Sequence, residues 1–303
     1  MKPPSGTLGV TADSDDRSRL TWSQKLLAVR QLSRIEKPIG ATLYAFLGAH
    51  LVGPLEMLWS WPVMTAAFVV FCVTTFGFII NDYCDVKVDG IGKPYRPIPS
   101  GRIMRQTAGR LAWGIAAIGL AASLTLGAGA ALFAFVAVVM SAAYSFRLKS
   151  TLFLGNATVA VLVAAVLLYG AMVAGDPMAP QVLAAALIIV PYIVAQEALF
   201  NLEDIDEDSD AGLSTTATCL GRARTTVLIQ VTLVSFMVAA VSTWLLVKAS
   251  NLYLLTLSVC ALLPTVILIL RLRPPTPQAA VARAVKLSRL VWVTSFLPLA
   301  LLK

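Results

Sequence analysis

The chain has 303 residues, of which 58% are hydrophobic and 13% charged, and its mean hydropathy is +0.79. A soluble domain is roughly 45–50% apolar and about 25% charged, so lipid rather than water is the solvent for most of this sequence. The net charge of +8 does not mark a nucleic-acid-binding protein, because the basic residues flank hydrophobic segments instead of forming an aromatic-interleaved stripe.

Residues 1–24 are polar, with Pro3, Pro4, Asp15 and Asp16 among them, and read as a disordered tail with no cleavable signal peptide. Residues 25–303 read as a single transmembrane domain. A helix crossing about 30 Å of hydrocarbon needs roughly 20 mostly apolar residues. Segments 38–54, 61–82, 107–126, 128–146, 152–174, 180–202, 224–247, 252–270 and 287–302 meet that need, giving an all-α polytopic membrane protein of about nine spans. Gly53-Pro54, Gly127, Gly175-Asp176-Pro177 and Pro274-Pro275 punctuate them. The loops 83–106, 147–151, 203–223 and 271–286 then share one side with the N-terminus. All of the 24 Lys and Arg residues except Lys248 and Lys303 fall on that side or in the adjoining turns. The positive-inside rule makes it cytoplasmic, and we expect a bacterial cell membrane. His50, the single histidine, lies at the opposite end of the first span and reads as an interfacial residue. The four cysteines show no C-x-x-C pairing and suggest neither a disulfide framework nor a zinc site.

Two spans end in acids. The second closes with Asn81-Asp82-Tyr83-Cys84-Asp85, followed by Asp89, and spacing of four puts Asn81, Asp85 and Asp89 on one helical face with Asp82 beside them. The sixth carries Glu197, Asn201, Asp204 and Asp208 in a 4-3-4 rhythm. Like charges stacked at i,i+4 destabilise a helix, and a carboxylate near hydrocarbon is costly. Two such clusters at matching depth call for a cation. Carboxylate oxygens suit Mg²⁺, which commonly binds through one or two carboxylates plus substrate phosphates. Glu203, Asp206, Glu207 and Asp210 lie off that face and read as solvated loop residues.

Donors for anionic oxygens share this side. Lys93, Arg96 and Arg102 follow the first cluster, Tyr144, Arg147 and Lys149 close the fourth span, and Arg34 and Lys37 open the first. Arg105, Arg110, Arg222 and Arg224 read as topological anchors. Glu197 and Gln196 are polar residues inside a span, where such residues face a bundle interior or a pathway; Glu197 would orient a second substrate, take its proton, or pair with a buried Arg or Lys. Tyr44, Phe78, Tyr169 and Tyr192 are candidates to face a central cavity.

The stretch N-D-x-x-D-x-x-x-D at 81–89, followed by K-P-Y-R-P-I-P-S-G-R at 93–102, resembles the first motif of the UbiA-type intramembrane prenyltransferases. Asp204 to Asp208, with Gly212 and Thr215, is similar to the family's second acidic motif. Arg34-Ile35-Glu36-Lys37-Pro38 resembles its approach to the first helix, and Tyr144 to Lys149 with Leu154-Gly155-Asn156 its Y-S-x-R-L-K…L-G-N stretch. The resemblance implies helices around a central cavity with lateral access to lipid and a cytoplasmic acidic cap. It also implies Mg²⁺-dependent transfer of a prenyl group from a prenyl diphosphate to an aromatic or other lipophilic acceptor. Carried over, Asn81, Asp82, Asp85, Asp89, Asn201, Asp204 and Asp208 would hold metal. Asp85, Asp208, Lys149, Arg147 and Tyr144 would serve catalysis, and Lys93, Arg96, Arg34 and Asn156 would contact the diphosphate. Ser214 stands where the family often has a basic residue, and the stretch after Tyr144 lacks a double proline found in many relatives. A membrane terpene cyclase acting without an acceptor fits the same residues. A transporter would need internal repeats, and no convincing repeat is present.

Overall fold

The computed structural model describes residues 21–303, and among these every regular element is helical. The expected tail boundary at residue 24 falls inside the first helix, α1 (Trp22–Ser33), which Thr21 and Gln24 open with a reciprocal capping box. Residues 1–20 lie outside the described residues. α1 ends at Arg34 in the left-handed region (φ 46°), a turn that sends the chain into α2 (Glu36–Val52).

Next come α3 (Trp61–Cys84), the short α4 (Val86–Gly92), α5 (Arg105–Leu124), α6 (Ala128–Phe146), α7 (Leu154–Ala174) and α8 (Pro180–Glu203). A second short helix, α9 (Ile205–Asp210), precedes α10 (Thr216–Leu246) and α11 (Asn251–Arg271). α12 (Gln278–Thr294) and α13 (Phe296–Ala300) close the chain. Proline stands in the first turn of α3 and α8, where its missing N–H costs nothing. α10 is broken at Gly221 (φ 75°), a left-handed residue that glycine adopts without a Cβ penalty.

Seven of these helices are long and apolar enough to cross a membrane, namely α3, α5, α6, α7, α8, α10 and α11. The expected count of about nine spans therefore has two shorter members. α2 has 17 residues, and the last expected span, 287–302, starts earlier as α12 and breaks at Ser295 before Pro298. A proline there removes a backbone donor and stops the helix. α12 also carries Arg283, Lys286 and Arg289, which leaves too little uninterrupted apolar length.

α3 packs on α5, α2 and α6, α7 bridges α2 and α8, and α8 lies against α10 and α12. The tightest crossing joins α2 to α7. A Cβ at Gly170 would overlap the Ala45 carbonyl, and one at Gly48 would overlap the Leu167 carbonyl. Small residues at such crossings let backbones approach closely, which drives helix association where lipid removes the hydrophobic contribution. Gly40, on the same helix, has open space around it. Gly170→Ala should destabilise the protein by about 1–3 kcal/mol through overpacking, and Gly40→Ala should not. Thermal unfolding of both variants in detergent measures this; equal midpoints would show that the crossing is not closely fitted.

Candidate active site at the acidic helix ends

The two acidic clusters share one backbone device. α3 ends and α4 begins at Asp85 (φ −85°, ψ 4°), and α8 ends and α9 begins at Asp204 (φ −94°, ψ 11°). Both occupy the sparsely populated bridge region, where many active-site residues sit. The backbone hydrogen bonds continue through each break, with Asp89 N on Asp85 O at 2.8 Å and Asp208 N on Asp204 O at 2.8 Å. Each helix is therefore bent rather than ended. An acid falls at the bend, with Asn81 or Asn201 about a turn before it and Asp89 or Asp208 a turn after.

Four basic side chains from three other segments meet these acids. Arg34 donates to Asp82 at 2.5 Å. Arg96 grips both oxygens of Asp89 at 2.7 and 2.6 Å and reaches Asp82 at 3.5 Å. Asp82 and Asp89 are buried, with side chains 4% and 7% exposed, so the arginines neutralise charges that have lost their water. Lys149 pairs with Asp85, whose other oxygen accepts from the Asn81 amide at 2.9 Å. Lys93 bridges to the second cluster, 3.1 Å from Asp204 and 3.3 Å from Glu207. Burial works against the charge on Lys93, but Asp204 and Glu207 outweigh it and hold its pKa above the ordinary value. Burial likewise pushes the Asp208 carboxyl up, against the neighbouring Thr215 hydroxyl, and Lys149 and Lys93 are both within electrostatic reach of that carboxyl. The two helix bends thus come together around two lysine ammonium groups.

Other expected site residues are placed as follows. Tyr144 is half-buried and within electrostatic reach of Glu197 and Asp208. Arg147 is exposed and makes no ion pair among the described residues. Asn156 is buried and donates to Thr216 at 3.2 Å, tying the start of α7 to the start of α10. Arg102 bonds Gln31 and the 95–100 loop, Arg105 stacks over Tyr83 with its guanidinium 4.4 Å from the ring, and Phe78 lies under Arg34. Tyr169 packs on Phe133, away from Tyr44 and Tyr192. Two residues had drawn no functional reading from sequence. Glu207, off the acidic face by spacing, joins Lys93, and Arg222 pairs with Asp206 at 2.8 Å. The short helix that turns Glu207 toward α4 has no sequence signal of its own. His50 faces away from the acids, its Nε2 3.2 Å from the Ala300 carbonyl.

Among the described residues, no three His, Cys, Asp or Glu side chains already converge into a metal cage. The donor chemistry nonetheless fits a hard divalent ion. Asn81, Asp85, Asn201, Asp204 and Asp208 offer amide and carboxylate oxygens, and ammonium groups already occupy the cation positions beside Asp85 and Asp204. Asp82 and Asp89, held by arginine, serve in this structure to orient Arg34 and Arg96. A cleft of about 440 Å³ at the opposite end of the bundle, beside Trp61, Leu126 and Met172, is lined by no titratable side chain.

Residues 40–290 match the model of the UbiA prenyltransferase family. The digeranylgeranylglyceryl phosphate synthase of Methanoregula boonei is 35% identical over 216 residues, 71% of this chain and 76% of that protein. The protein of the same name from Saccharolobus solfataricus is 31% identical over 274 residues, 90% of this chain and 96% of its own. A UbiA homolog from Archaeoglobus fulgidus, solved bound to GPP and Mg²⁺, has the same fold, with a TM-score of 0.66 at 16% identity over 90% of this chain and 99% of that one.

Removing one partner of a buried ion pair costs about 3–5 kcal/mol because it strands the other charge. Arg96→Met, which strands Asp89 and leaves Asp82 to Arg34 alone, should lower the thermal midpoint sharply, and Arg147→Met should not. Matching midpoints for the two variants would show that the buried acids do not depend on Arg96.

Proposed function

Because the chain belongs to the UbiA prenyltransferase family and is accordingly a membrane prenyltransferase, we propose that it joins the prenyl group of a prenyl diphosphate to a hydroxyl of a lipophilic acceptor at the paired bends of α3–α4 and α8–α9. The observation that carries this reading is the convergence of Asp85 and Asp204, each at a helix bend, on Lys149 and Lys93. Such an array suits a diphosphate, whose oxygens would take over the ammonium groups while the carboxylates accept metal.

A divalent ion such as Mg²⁺, held by Asn81, Asp85, Asn201, Asp204 and Asp208, would supply positive charge to the leaving diphosphate. Lys93, Lys149 and Arg147 would donate to oxygens that the metal leaves uncovered. Arg34 and Arg96 keep spare N–H groups beyond those given to Asp82 and Asp89, and would donate these to the same oxygens. These donors matter most as the bond between the prenyl C1 and the diphosphate oxygen breaks and its electron pair leaves on the diphosphate. The acceptor oxygen then bonds to C1 and gives up its proton. Glu197 sits inside α8 about two turns before the bend and near Tyr144, a position from which it would receive that proton. Tyr144, lying between Glu197 and Asp208, would orient the two reactants. Both curated relatives described above carry a name containing a glyceryl phosphate, which favours a prenylated glyceryl phosphate over an aromatic ring as the acceptor here. We assign the basic face to the cytoplasm by the positive-inside rule.

Asp85→Ala and Asp208→Ala should each reduce Mg²⁺-dependent diphosphate release from geranylgeranyl diphosphate by at least ~100-fold. Asp210→Ala, exposed and unpaired among the described residues, should change it little. Near-wild-type activity in either of the first two variants would overturn the site. Glu197→Gln should lower kcat by about 100-fold with the KM for the prenyl diphosphate unchanged, measured with saturating acceptor.

A further inference from the structure

α2, α8 and α12 meet at a second set of polar groups beside the acidic bends. Trp292 of α12 is stacked between two tyrosines, 4.6 Å from Tyr44 of α2 and 5.8 Å from Tyr192 of α8, at interplanar angles of 14° and 11°. Phe296 and Phe236 close the edges of this stack, which seals the three helices together. On the side toward the acidic bends, each helix carries a charge. Lys37 lies two turns from Tyr44 on the same face of α2, Arg289 about one turn from Trp292 on α12, and Glu197 between Tyr192 and Phe200 on α8. The Arg289 guanidinium lies 5.6 Å from the Phe200 ring, which fixes its height at that end of α8. Lys37 is within electrostatic reach of both Arg289 and Glu197.

Neither Lys37 nor Arg289 forms an ion pair or a side-chain hydrogen bond among the described residues, and Glu197 forms none either. This contrasts with the first site, where Arg34, Lys93, Arg96 and Lys149 are all engaged with acids. Glu36, next to Lys37 in sequence, points about 100° around the helix from it. Glu36 and Glu203 stand within electrostatic reach of Lys37 and Arg289 respectively, yet no carboxylate comes within ion-pair distance of either cation, so both keep free donors at the membrane boundary. The two helices that carry these cations also present exposed apolar residues, Ile39 and Leu43 on α2 and Leu290 and Val293 on α12. A ligand bound there would have an anionic head at the cations and an apolar tail along these residues.

We propose that Lys37 and Arg289 form the anion-binding rim for the acceptor, seating a phosphate or other anionic headgroup so that its hydroxyl meets Glu197 and the prenyl diphosphate behind it. This deepens the prenyl-transfer reading and rests on it. The Trp292 stack would act as the floor that stops the head from sliding deeper. The rim is distinct from the diphosphate site in its residues, its helices and its lack of bound acids.

The test uses the full chain in nanodiscs of neutral phosphatidylcholine, with a C20 prenylglyceryl phosphate and the matching uncharged prenylglycerol as acceptors. Lys37→Gln and Arg289→Gln should each raise the KM for the phosphorylated acceptor by about tenfold or more. The KM for geranylgeranyl diphosphate should stay unchanged, and Lys37→Arg and Arg289→Lys should retain most of the affinity. Direct titration of the phosphorylated acceptor alone, by calorimetry on the nanodiscs, reads the same loss without turnover, so a failure of the transfer reading and a failure of the rim are separable. An unchanged acceptor KM and titration, or equal losses with the uncharged acceptor, would overturn the rim. An effect that appears only when phosphatidylglycerol is added to the discs would also overturn it, because bulk lipid headgroups would then be the anion bound.

Discussion

The structure turns on one constraint, which is that carboxylates held at the membrane boundary must each have a cation within reach. Asp82 and Asp89 have lost their water, and a buried charge that is not paired costs several kcal/mol. Asp82 lies in the last turn of α3, where the helix dipole adds partial negative charge of its own. Arg34 and Arg96 offset this burden, and in doing so they fix the turn from α1 to α2 and the loop from α4 to α5. Lys149 and Lys93 do the same for the more open Asp85 and Asp204. The loops between the spanning helices thus take their paths from charge neutralisation as well as from turn chemistry.

That division separates two kinds of acid that look alike in sequence. An arginine on a buried carboxylate is a persistent partner, because the guanidinium stays charged, and here one Arg96 nitrogen spans both oxygens of Asp89. A lysine pair is a point contact on a flexible stem and yields more readily to a competing cation. Asp89 carries the first kind, and Asp85 and Asp204 the second. The acids that could exchange an ammonium for a metal ion are therefore those at the two helix bends, and the arginine-held acids form the frame around them. The symmetry of the bends, each in the bridge region with its hydrogen-bond ladder intact, gives the two donor sets the same local shape although they come from unrelated segments.

Much of this was legible in the sequence. Hydropathy located the helices because a span must satisfy its own backbone and be apolar over its length. Two of the expected spans fall outside the seven long apolar helices, namely α2 with 17 residues and the chain end, where Pro298 and three basic residues shorten the last helix. Periodicity placed Asn81, Asp85, Asp204 and Asp208 on common faces because those positions lie within or next to true helices. It could not separate Asp82 and Asp89 from the others, since their partner Arg96 arrives from a loop whose path depends on the fold. The resemblance sets Asn156 toward the diphosphate, and the structure adds a bond to Thr216 that ties two helix starts together, which spacing along the chain cannot reveal. Glu207 was passed over because α9 turns after Asp204 and brings it round to Lys93, a rotation that spacing along one continuous helix cannot express.

The same constraint explains why two substrates would meet at this level of the membrane and at no other. A prenyl diphosphate and a phosphorylated acceptor are both amphiphiles, so each comes to rest with its head at the boundary and its chain in hydrocarbon. A single strongly positive site would bind either head and hold the wrong pair. Here the first set of cations is already partly neutralised by acids and calls for a metal and a highly charged diphosphate together. The second, Lys37 and Arg289, has carboxylates nearby but none in an ion pair, and would suit a lesser anion. In the proposed arrangement differential charge would sort the two heads into adjacent seats, and Glu197, on the helix that borders both, would take the proton that the hydroxyl of one loses as it joins the carbon of the other.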